Sequence, residues 1–447
     1  MKRQHYDSFN EHAQSAAAVK RLKNDGSSSL VQRSHLNFDF DKICTVTLSH
    51  INIYCCLTCG KYLQGRDRNS PAFLHSVNTY HQLYLSFHNL QLYSLPENKI
   101  VKAQYFNETL DSIRFAAFPV FKSSELLEYP KRCLDIAGNS YFNGFVPLTD
   151  SLGRDFCNVI LMAIGHVIPL RDWLVTKCDR DANNEFVKFL SLVTRKQWNP
   201  SLFRVSVLTD ELLGYLALSE PKLLTQHDPR SFLLHILHLM ASQSSELKKL
   251  VNENIQGQLE ICTNKDSVTI TKKRVPFKCL TLDLPSESFF KSSSTKDTIN
   301  QVQLGELFKK YYGKKEKIEG DVTKVLNLVT FPNYLILHFN RFDRSNKCPI
   351  KNRNKTLVEF PTKMMLGGIK YQLIANIIHN ENKEAQTLAN LAQDNESVWS
   401  VQLFNRKEMQ WFEFSKNQFK SKQKQLLFLD ETYMQFWEKD DGGTNRM

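Results

Sequence analysis

The stretch "CCLTCGKYLQGRDRNSPAFLHSVNTYH", residues 55–81, carries the chemistry that decides the fold of the N-terminal part of the chain. Cys56 and Cys59 form a C-x-x-C pair, and His75 and His81 follow at a distance that lets a short helix carry them back to the same ion. Two cysteine thiolates and two imidazoles can close a tetrahedron around zinc. The sequence therefore predicts one structural zinc ion held by Cys56, Cys59, His75 and His81.

Counting residues alone leaves the choice of ligands open. Cys44 and Cys55 are spare thiols, and His50 and His88 are spare imidazoles. An ordinary cluster of buried cysteines and histidines is the alternative to a metal site. No H-E-x-x-H or H-x-E pattern lies nearby to supply a general base, so a catalytic zinc ion is not predicted.

The composition is that of a folded protein with a large core. The chain has 447 residues, of which 42% are hydrophobic and 11% aromatic, and this length suggests two or three domains. Its ten cysteines show no evenly spaced framework, which favours a reducing compartment and predicts no disulfides. The longest apolar run, Val159 to Leu170, contains His166 and Pro169 and is too short to span a bilayer, so no membrane role is expected.

A formal net charge of +12 suits a protein that works near nucleic acid or acidic partners. Basic clusters begin at Lys309, Asn340 and Lys416, although each also fits an ordinary solvated loop. The chain has no Gly-rich phosphate loop and no RNA-recognition pattern of alternating aromatic residues. Charge alone therefore identifies no partner.

The order of sequence patterns predicts an α+β protein with two domains. Residues 1–35 are polar and poor in large apolar groups, which predicts a disordered basic and polar tail. A compact domain over 36–130 and a second domain over 140–447 follow. In the second domain, helical patterns precede alternating strand patterns, with helices expected around Phe156–Val175, Glu185–Leu192 and Phe232–Leu250 and strands from Val275 to the end. The polar segment after Ile378 is expected to be an exposed insertion.

Cys157 lies near the start of an apolar helix in "DSLGRDFCNVILMAIG", residues 150–165. The free amide groups and the dipole of a helix N-terminus can lower the pKa of a thiol, so a nucleophile is physically reasonable here. The alternative is a cysteine packed in the core. Free cysteines are among the most often buried residues, so the stretch by itself favours the packed cysteine.

The runs "INIYCCLTCGKYLQGR" and "HSVNTYH" resemble the zinc-finger domain attached to many ubiquitin-specific proteases. The resemblance implies that the four residues of the opening stretch bind one zinc ion. Family members with further zinc sites have ligands where this chain has Gln64, Pro71 and Ser94, so no second ion is expected. Such domains can hold the free diglycine tail of ubiquitin. Arg66 matches that pocket, but Leu95 stands where a tyrosine is expected, so ubiquitin binding there is doubtful.

The second half resembles the ubiquitin-specific protease domain over most of Tyr141 to Lys439. Four segments carry the resemblance in the right order: "QHDPRSFLLHIL", "FPNYLILHFNRF", "YQLIANIIH" and "YMQFW". The family implies a papain-like fold with thumb, palm and fingers.

The catalytic residues of that family are missing from this chain. Aligning the family's nucleophile box on Phe156 and Asn158 places the nucleophilic cysteine at Asp155 and the oxyanion asparagine at Gly153. The catalytic histidine falls at Val398. The orienting Asp or Asn falls at Ser415. A nucleophile, a base and an orienting group act together, so the resemblance implies no peptidase activity.

The pairing of this zinc finger with a protease-like domain that lacks its triad resembles the tri-snRNP-associated, ubiquitin-protease-like splicing factors. That family implies a nuclear, non-catalytic scaffold in pre-mRNA splicing that assembles or maintains the tri-snRNP. Its partners would be tri-snRNP proteins, with snRNA as a further candidate, and no small-molecule substrate. Two alternatives remain open: a ubiquitin-binding adaptor, and an active ubiquitin hydrolase that uses Cys157 with His379 as its base.

Overall fold

The computed structural model describes most of the chain between residues 42 and 440. The described residues are 31–32, 35–36, 38, 42–101, 121–135, 139–177, 184–200, 202, 205–265, 268–285, 300–313, 317–319, 322–342, 353–380, 398–415 and 418–440. The predicted tail, 1–35, lies almost wholly outside them. The predicted insertion after Ile378 also lies outside them from residue 381 to 397.

The described residues form two compact units. The first contains those up to Val101, with those of Arg132–Phe142 and Asn199–Val205. The second contains those of Phe121–Lys131 and Asn143–Trp198 and those from Ser206 onward. These divisions do not coincide with the predicted domain boundaries at 36, 130 and 140, which remain a prediction.

The first unit is built on a five-stranded antiparallel sheet and one helix. The strand order is β2-β1-β3-β4-β5, and helix α1 (Pro71–Thr79) connects β2 to β3. The strands are β1 (Ile53–Cys56), β2 (Tyr62–Gln64), β3 (Leu83–Ser86), β4 (Leu92–Ser94) and β5 (Lys99–Ile100). A separate hairpin of this unit pairs β6 (Arg132–Leu134) with β7 (Ser140–Phe142).

Strand alternation gives this sheet two buried faces. Successive side chains of a strand point to opposite faces. Cys55 accordingly packs with Leu83 and Leu85 in one apolar cluster, whereas Cys56 packs with Tyr84 in another. The two adjacent cysteines therefore lie in different environments.

The second unit begins with its helices. They are α2 (Ser123–Leu126), α3 (Asp155–Ile164), α4 (Ile168–Thr176), α5 (Glu185–Gln197), α6 (Asp210–Ser219), α7 (Pro221–Leu224), α8 (Pro229–Gln243) and α9 (Ser245–Asn254). Two short parallel strands, β8 (Leu148–Thr149) and β9 (Val207–Leu208), lie among them. Helix α3 is buried along almost its whole length, because eight of its ten residues are apolar and it packs inside the unit.

The sheets of this unit follow the helices in the chain. An eight-stranded sheet has the order β12-β16-β23-β19-β20-β21-β22, with β18 also paired to β19. Its strands are β12 (Leu280–Asp283), β16 (Tyr334–Asn340), β18 (Lys363–Leu366), β19 (Ile369–Asn380), β20 (Val398–Asn405), β21 (Gln410–Ser415), β22 (Gln418–Lys422) and β23 (Glu431–Lys439).

A four-stranded antiparallel sheet is separate from the eight-stranded one. Its order is β11-β10-β15-β14, with β10 (Gly257–Lys265), β11 (Val268–Phe277), β14 (Lys317–Glu319) and β15 (Val322–Thr330). Two short parallel strands, β13 (Gln301–Gln303) and β17 (Leu357–Glu359), pair near helix α10 (Leu304–Phe308). The expected α+β fold class is confirmed.

Details of the helical and strand predictions differ from the structure. The helix expected over Phe156–Val175 is divided into α3 and α4 at Gly165, where an added Cβ would meet Gln197 Oε1 at 2.4 Å. Helix α6 was not predicted. The strands that follow the helices begin at Gly257 rather than Val275, because the polar residues of β10 and β11 weaken the apolar alternation that indicates a strand.

Among the described residues, no single helix has the length and apolar character needed to cross a membrane. Only α3 and α4 taken together meet the criterion, by length and composition, and they meet at 93°.

Candidate metal centre and candidate catalytic cleft

The structure brings the four predicted zinc ligands together. One ligand atom from each of Cys56, Cys59, His75 and His81 lies within 4.8 Å of all the others. The Cys59 Sγ to His75 Nε2 separation is 3.3 Å and the Cys56 Sγ to His81 Nδ1 separation is 3.5 Å. The two imidazole nitrogens are 3.2 Å apart.

These separations fit the edges of a zinc tetrahedron. Zinc–sulfur bonds of about 2.3 Å and zinc–nitrogen bonds of about 2.0 Å at tetrahedral angles require sulfur–nitrogen edges of about 3.5 Å and nitrogen–nitrogen edges of about 3.3 Å. Burial lowers the pKa of both His75 and His81, which favours the neutral imidazole that zinc binds. Burial raises the pKa of Cys56 to about 11, a cost that a bound cation reverses by holding the thiolate. The residues present therefore fit zinc.

Local geometry positions the two cysteines. Cys56 ends β1, and a tight turn follows in which Gly60 N donates to the Cys56 carbonyl oxygen at 2.8 Å. Gly60 has φ +74°, and a Cβ there would lie 2.1 Å from the carbonyl oxygen of His35. Only glycine suits this turn, which returns Cys59 to the side of Cys56.

Helix α1 supplies the two histidines. It starts with Pro71 at a position where a missing amide hydrogen costs nothing, and it ends at Tyr80, which takes a left-handed conformation with φ 59°. His75 lies within the helix, and the reversal at Tyr80 directs His81 back toward it. The helix predicted between the histidines is thus present.

The spare thiols and the substituted positions have other partners. Cys44 Sγ accepts hydrogen bonds from the amides of Val46, Thr47 and Gln64 at 3.4, 3.4 and 3.2 Å. Pro71 begins a helix, and Ser94 Oγ donates to Glu97 Oε2 at 2.9 Å. Among the described residues, the tetrad is the only group of cysteine, histidine or acidic side chains placed to hold a metal ion.

Arg66 is also engaged within its own unit. Its guanidinium lies 4.5 Å from the centroid of the Tyr93 ring and donates to Asn98 Oδ1 at 2.9 Å. Leu95, in place of the expected tyrosine, is fully buried. Both residues thus take part in packing within the first unit.

In the second unit, Asp155 lies in the first turn of α3 and joins that helix to the large sheet. Its Oδ2 accepts a hydrogen bond from the backbone amide of Trp399 at 2.7 Å. Trp399 is next to Val398 at the start of β20, and Ser400 pairs with Ser415 of β21. The positions aligned with nucleophile, base and orienting group therefore lie near one another, at the first turn of α3, the start of β20 and the end of β21.

The turn before Asp155 is held by another carboxylate. Asp150 Oδ1 accepts from Arg154 N at 2.8 Å and from Asn158 Nδ2 at 3.1 Å. Gly153 lies exposed in this turn with φ +67°, and an added Cβ would meet nothing within 4 Å. The turn thus has space for a Cβ at position 153, where the family pattern has the oxyanion asparagine. Gly153 has no side chain that could donate to an oxyanion.

Cys157 is a core residue. Its side chain is fully buried, and burial, followed by the charge of Asp150, raises the pKa of its thiol well above the ordinary value. A buried neutral thiol is a poor nucleophile, so the geometry goes against the alternative of a hydrolase that uses Cys157.

Aromatic rings pack around Trp399, whose backbone amide donates to Asp155. Trp399 lies 4.8 Å from Tyr433 and 4.9 Å from His379 between ring centroids, and Phe342 lies 5.4 Å from Tyr433. The hydroxyl of Tyr433 donates to Asp228 Oδ1 at 2.6 Å, which joins the start of α8 to the sheet. Sequence reasoning identified the segments that contain Asp228 and Tyr433 but not their contact, for which the sequence carries no signal.

Comparison with known protein families finds matches for both the region of the metal centre and the region of Asp155. Residues 44–106 match the family described as "Zn-finger in ubiquitin-hydrolases and other protein", and residues 152–437 match "Ubiquitin carboxyl-terminal hydrolase". The chain belongs to the ubiquitin carboxyl-terminal hydrolase family.

Individual relatives of the family span nearly the whole chain. The pre-mRNA-splicing factor SAD1 of Saccharomyces cerevisiae is 37% identical over 95% of this chain and 96% of its own length. A human protein named ubiquitin carboxyl-terminal hydrolase 39 is 29% identical over 92% of this chain and 79% of its own length. The crystal structure of an essential yeast splicing factor matches with a TM-score of 0.79 and 36% identity, covering 92% of this chain and 99% of that one.

Proposed function

We propose that this protein is a non-catalytic pre-mRNA splicing factor of the nucleus that acts as a scaffold in assembling or maintaining the spliceosomal tri-snRNP. The similarity to a yeast splicing factor over nearly its full length supports the process. The contact between Asp155 and Trp399 carries the non-catalytic part of the proposal.

Asp155 is chemically unsuited to the family's reaction. A carboxylate is a weak nucleophile toward an isopeptide carbonyl, and its negative charge repels the oxyanion that the site has to stabilise. Its oxygen is also occupied by the Trp399 amide. The family's base position is Val398 in this chain, and a valine side chain cannot accept a proton from a nucleophile.

The packing of the cleft supports the same conclusion. Asp155 and Asp228 each join a helix to the sheet, and the rings of Phe342, Trp399 and Tyr433 pack between these contacts. An extended peptide needs an open groove with free backbone partners. The packing of these rings with the two aspartate contacts argues against an adaptor or a hydrolase that binds a ubiquitin tail here.

The zinc finger is proposed to hold a single structural ion through Cys56, Cys59, His75 and His81. A closed set of four protein ligands leaves no position for substrate or water, which distinguishes a structural site from a catalytic one. The ion would stabilise the small first unit rather than take part in a reaction.

The charges of the described residues favour protein partners over snRNA. In two of the predicted basic clusters, cations have partners within the protein: Lys310 contacts Asp283 at 2.6 Å, and Arg353 contacts Glu431 at 2.7 Å. Arg341 is buried and donates to the Thr432 carbonyl oxygen at 2.6 Å. Cations used inside the fold contribute little to a phosphate-binding surface.

The proposal is tested by replacing the endogenous protein. Cells that lack it should accumulate unspliced pre-mRNA and lose tri-snRNP, and both the wild type and Cys157→Ala should restore splicing. The purified wild type should not hydrolyse a fluorogenic ubiquitin substrate. Hydrolysis that is lost in Cys157→Ala would establish the enzyme instead. Capture on immobilised ubiquitin without any splicing defect would establish the adaptor.

Asp155 should have a structural rather than a chemical role. Asp155→Ala removes the acceptor of the Trp399 amide, so the free energy of unfolding should fall by about 1–3 kcal/mol, as measured by urea denaturation. Asp155→Asn keeps an acceptor oxygen and should lose less. Asp155→Cys should not create turnover, because the base and orienting group would still be missing. If Asp155→Ala left stability unchanged, the contact would not hold the cleft closed.

A further inference from the structure

Tyr84 is a buried tyrosine beside the zinc ligands whose hydroxyl group has no hydrogen-bond partner among the described residues. A buried hydroxyl without a partner costs about 1–3 kcal/mol. Buried polar groups in native proteins almost always have a partner, so each exception calls for a physical reason.

The sheet register places this side chain next to Cys56. Tyr84 of β3 is the direct cross-strand partner of Cys56 of β1. Directly opposed residues in an antiparallel pair project their side chains on the same face, with Cβ atoms about 4.5–5.5 Å apart. Tyr84 and Cys56 accordingly belong to the same buried cluster, against which Cys59 also packs.

The ring of Tyr84 also contacts the histidine side of the tetrad. Its centroid lies 6.4 Å from that of His75, with the two ring planes at 90°. A phenol is protonated at neutral pH, so the Tyr84 hydroxyl carries a hydrogen that it can donate to a neighbouring acceptor.

A bound zinc ion changes the hydrogen-bond acceptor next to the Tyr84 hydroxyl. A neutral thiol is a weak acceptor, whereas a cysteine that binds zinc is a thiolate. Hydrogen bonds to a charged acceptor are roughly twice as strong as those between neutral groups. The hydroxyl that lacks a partner beside a thiol would gain one beside a metal-bound thiolate.

We propose that Tyr84 is a positioning residue of the metal centre, and that its hydroxyl donates a hydrogen bond to the Cys56 thiolate when zinc is bound. This inference rests on the proposed zinc site. It goes beyond the four ligands, because it assigns a role to a residue that binds no metal itself. Groups that orient metal ligands commonly change metal affinity by about 10- to 100-fold when they are removed.

The chain offers a matched control in Tyr54. It is a buried tyrosine of the same cluster, two residues before Cys56 on the same strand and face. Its direct cross-strand partners are Leu63 and Ser86 rather than a cysteine, and its ring lies 5.7 Å from that of Tyr93 between centroids. Tyr54→Phe therefore removes the hydroxyl of a buried tyrosine without removing a donor to the Cys56 thiolate.

The test measures zinc affinity by competition with a chelator, using the full-length protein. Tyr84→Phe should bind zinc about 10-fold or more weakly than the wild type, whereas Tyr54→Phe should change affinity little. Both variants should be folded at saturating zinc, as judged by circular dichroism. Equal zinc affinity in Tyr84→Phe and the wild type would overturn the inference.

A spectroscopic measurement separates a hydrogen bond to sulfur from a general loss of packing. With cobalt in place of zinc, Tyr84→Phe should shift the thiolate-to-cobalt charge-transfer band to longer wavelength, because a thiolate without its donor is more easily oxidised. An unshifted band would overturn the inference. If wild-type protein bound no zinc or cobalt at all, the proposed zinc site itself would be wrong, a failure distinguishable from that of Tyr84.

Discussion

At the scale of single residues, Cys55 and Cys56 are neighbours in the chain whose side chains lie on opposite faces of the sheet. Cys55 is fully buried in the apolar cluster on one face of the sheet, and burial raises its pKa well above the ordinary value. Cys56 points to the other face and joins the tetrad. Counting residues left the choice between these thiols open, and strand alternation resolves it.

These two cysteines therefore provide a matched pair of substitutions. Cys56→Ala should abolish zinc binding and unfold the first unit, because structural zinc contributes on the order of 10 kcal/mol in small domains. Cys55→Ala should retain one zinc ion per chain and lose only part of its packing energy. Metal analysis by mass spectrometry checks both, and a zinc-free Cys55→Ala protein would show that the ligands are assigned wrongly.

At the scale of elements, β21 and β22 are joined by ion pairs around the buried carboxylate of Glu413. Glu413 of β21 contacts Lys420 and Lys422 of β22, each at 2.9 Å, and Lys422 also contacts Asp430 at 2.8 Å. Burial by itself would raise the pKa of Glu413, but hydrogen bonds from Lys422, Lys420 and Gln402 outweigh it and lower the pKa. The folded state therefore prefers the ionised carboxylate.

This preference predicts how stability depends on pH. A group whose pKa is lower in the folded state stabilises the fold above its unfolded pKa, and that contribution is lost as pH falls through the folded value. Glu413→Gln should cost about 1–3 kcal/mol at pH 7, since the charge-assisted hydrogen bonds from Lys420 and Lys422 are weakened. The difference should shrink as pH falls below 4.5, the ordinary pKa of the group. Urea denaturation across this range is the measurement, and a difference that does not change with pH would contradict it.

At the scale of the whole molecule, the metal centre belongs to one compact unit and the cleft to the other. All four zinc ligands lie in the first unit, whereas the contacts of Asp155 with Trp399 and of Asp228 with Tyr433 lie in the second. The second unit has a large apolar core of its own, which includes Leu337, Phe339 and Trp437. Its stability should therefore not depend directly on the ion.

Removal of metal should act on the first unit alone. A chelator should increase amide hydrogen exchange in β1, β3 and α1, because a small domain loses the binding energy of its ion. The central strands β16, β19 and β23 should keep their protection. Mass spectrometry of the exchanged protein resolves the two regions, and equal loss of protection in both would show that the units unfold together.

Local patterns in the sequence predicted a large part of the protein. The spacing of Cys56, Cys59, His75 and His81 depends on one turn and one short helix, so the chain itself brings those residues together. Helical periodicity located α3, although it missed α6, whose apolar residues form a weaker pattern. The resemblance to the protease family identified Asp155, Val398 and Ser415 as positions to compare.

Contacts between distant segments depended on tertiary packing. The Asp155 carboxylate accepts a hydrogen bond from the backbone amide of Trp399, 244 residues further along the chain. Every residue except proline has such an amide, so the identity of residue 399 does not indicate this contact. Packing also buried Cys157, and it turned Arg341 and Arg353 from expected surface charges into buried structural ones. The sequence of a single segment specifies its hydrophobic periodicity and its turns, because both depend on nearby residues. Which side chains it meets depends on how strands and helices from the rest of the chain pack around it.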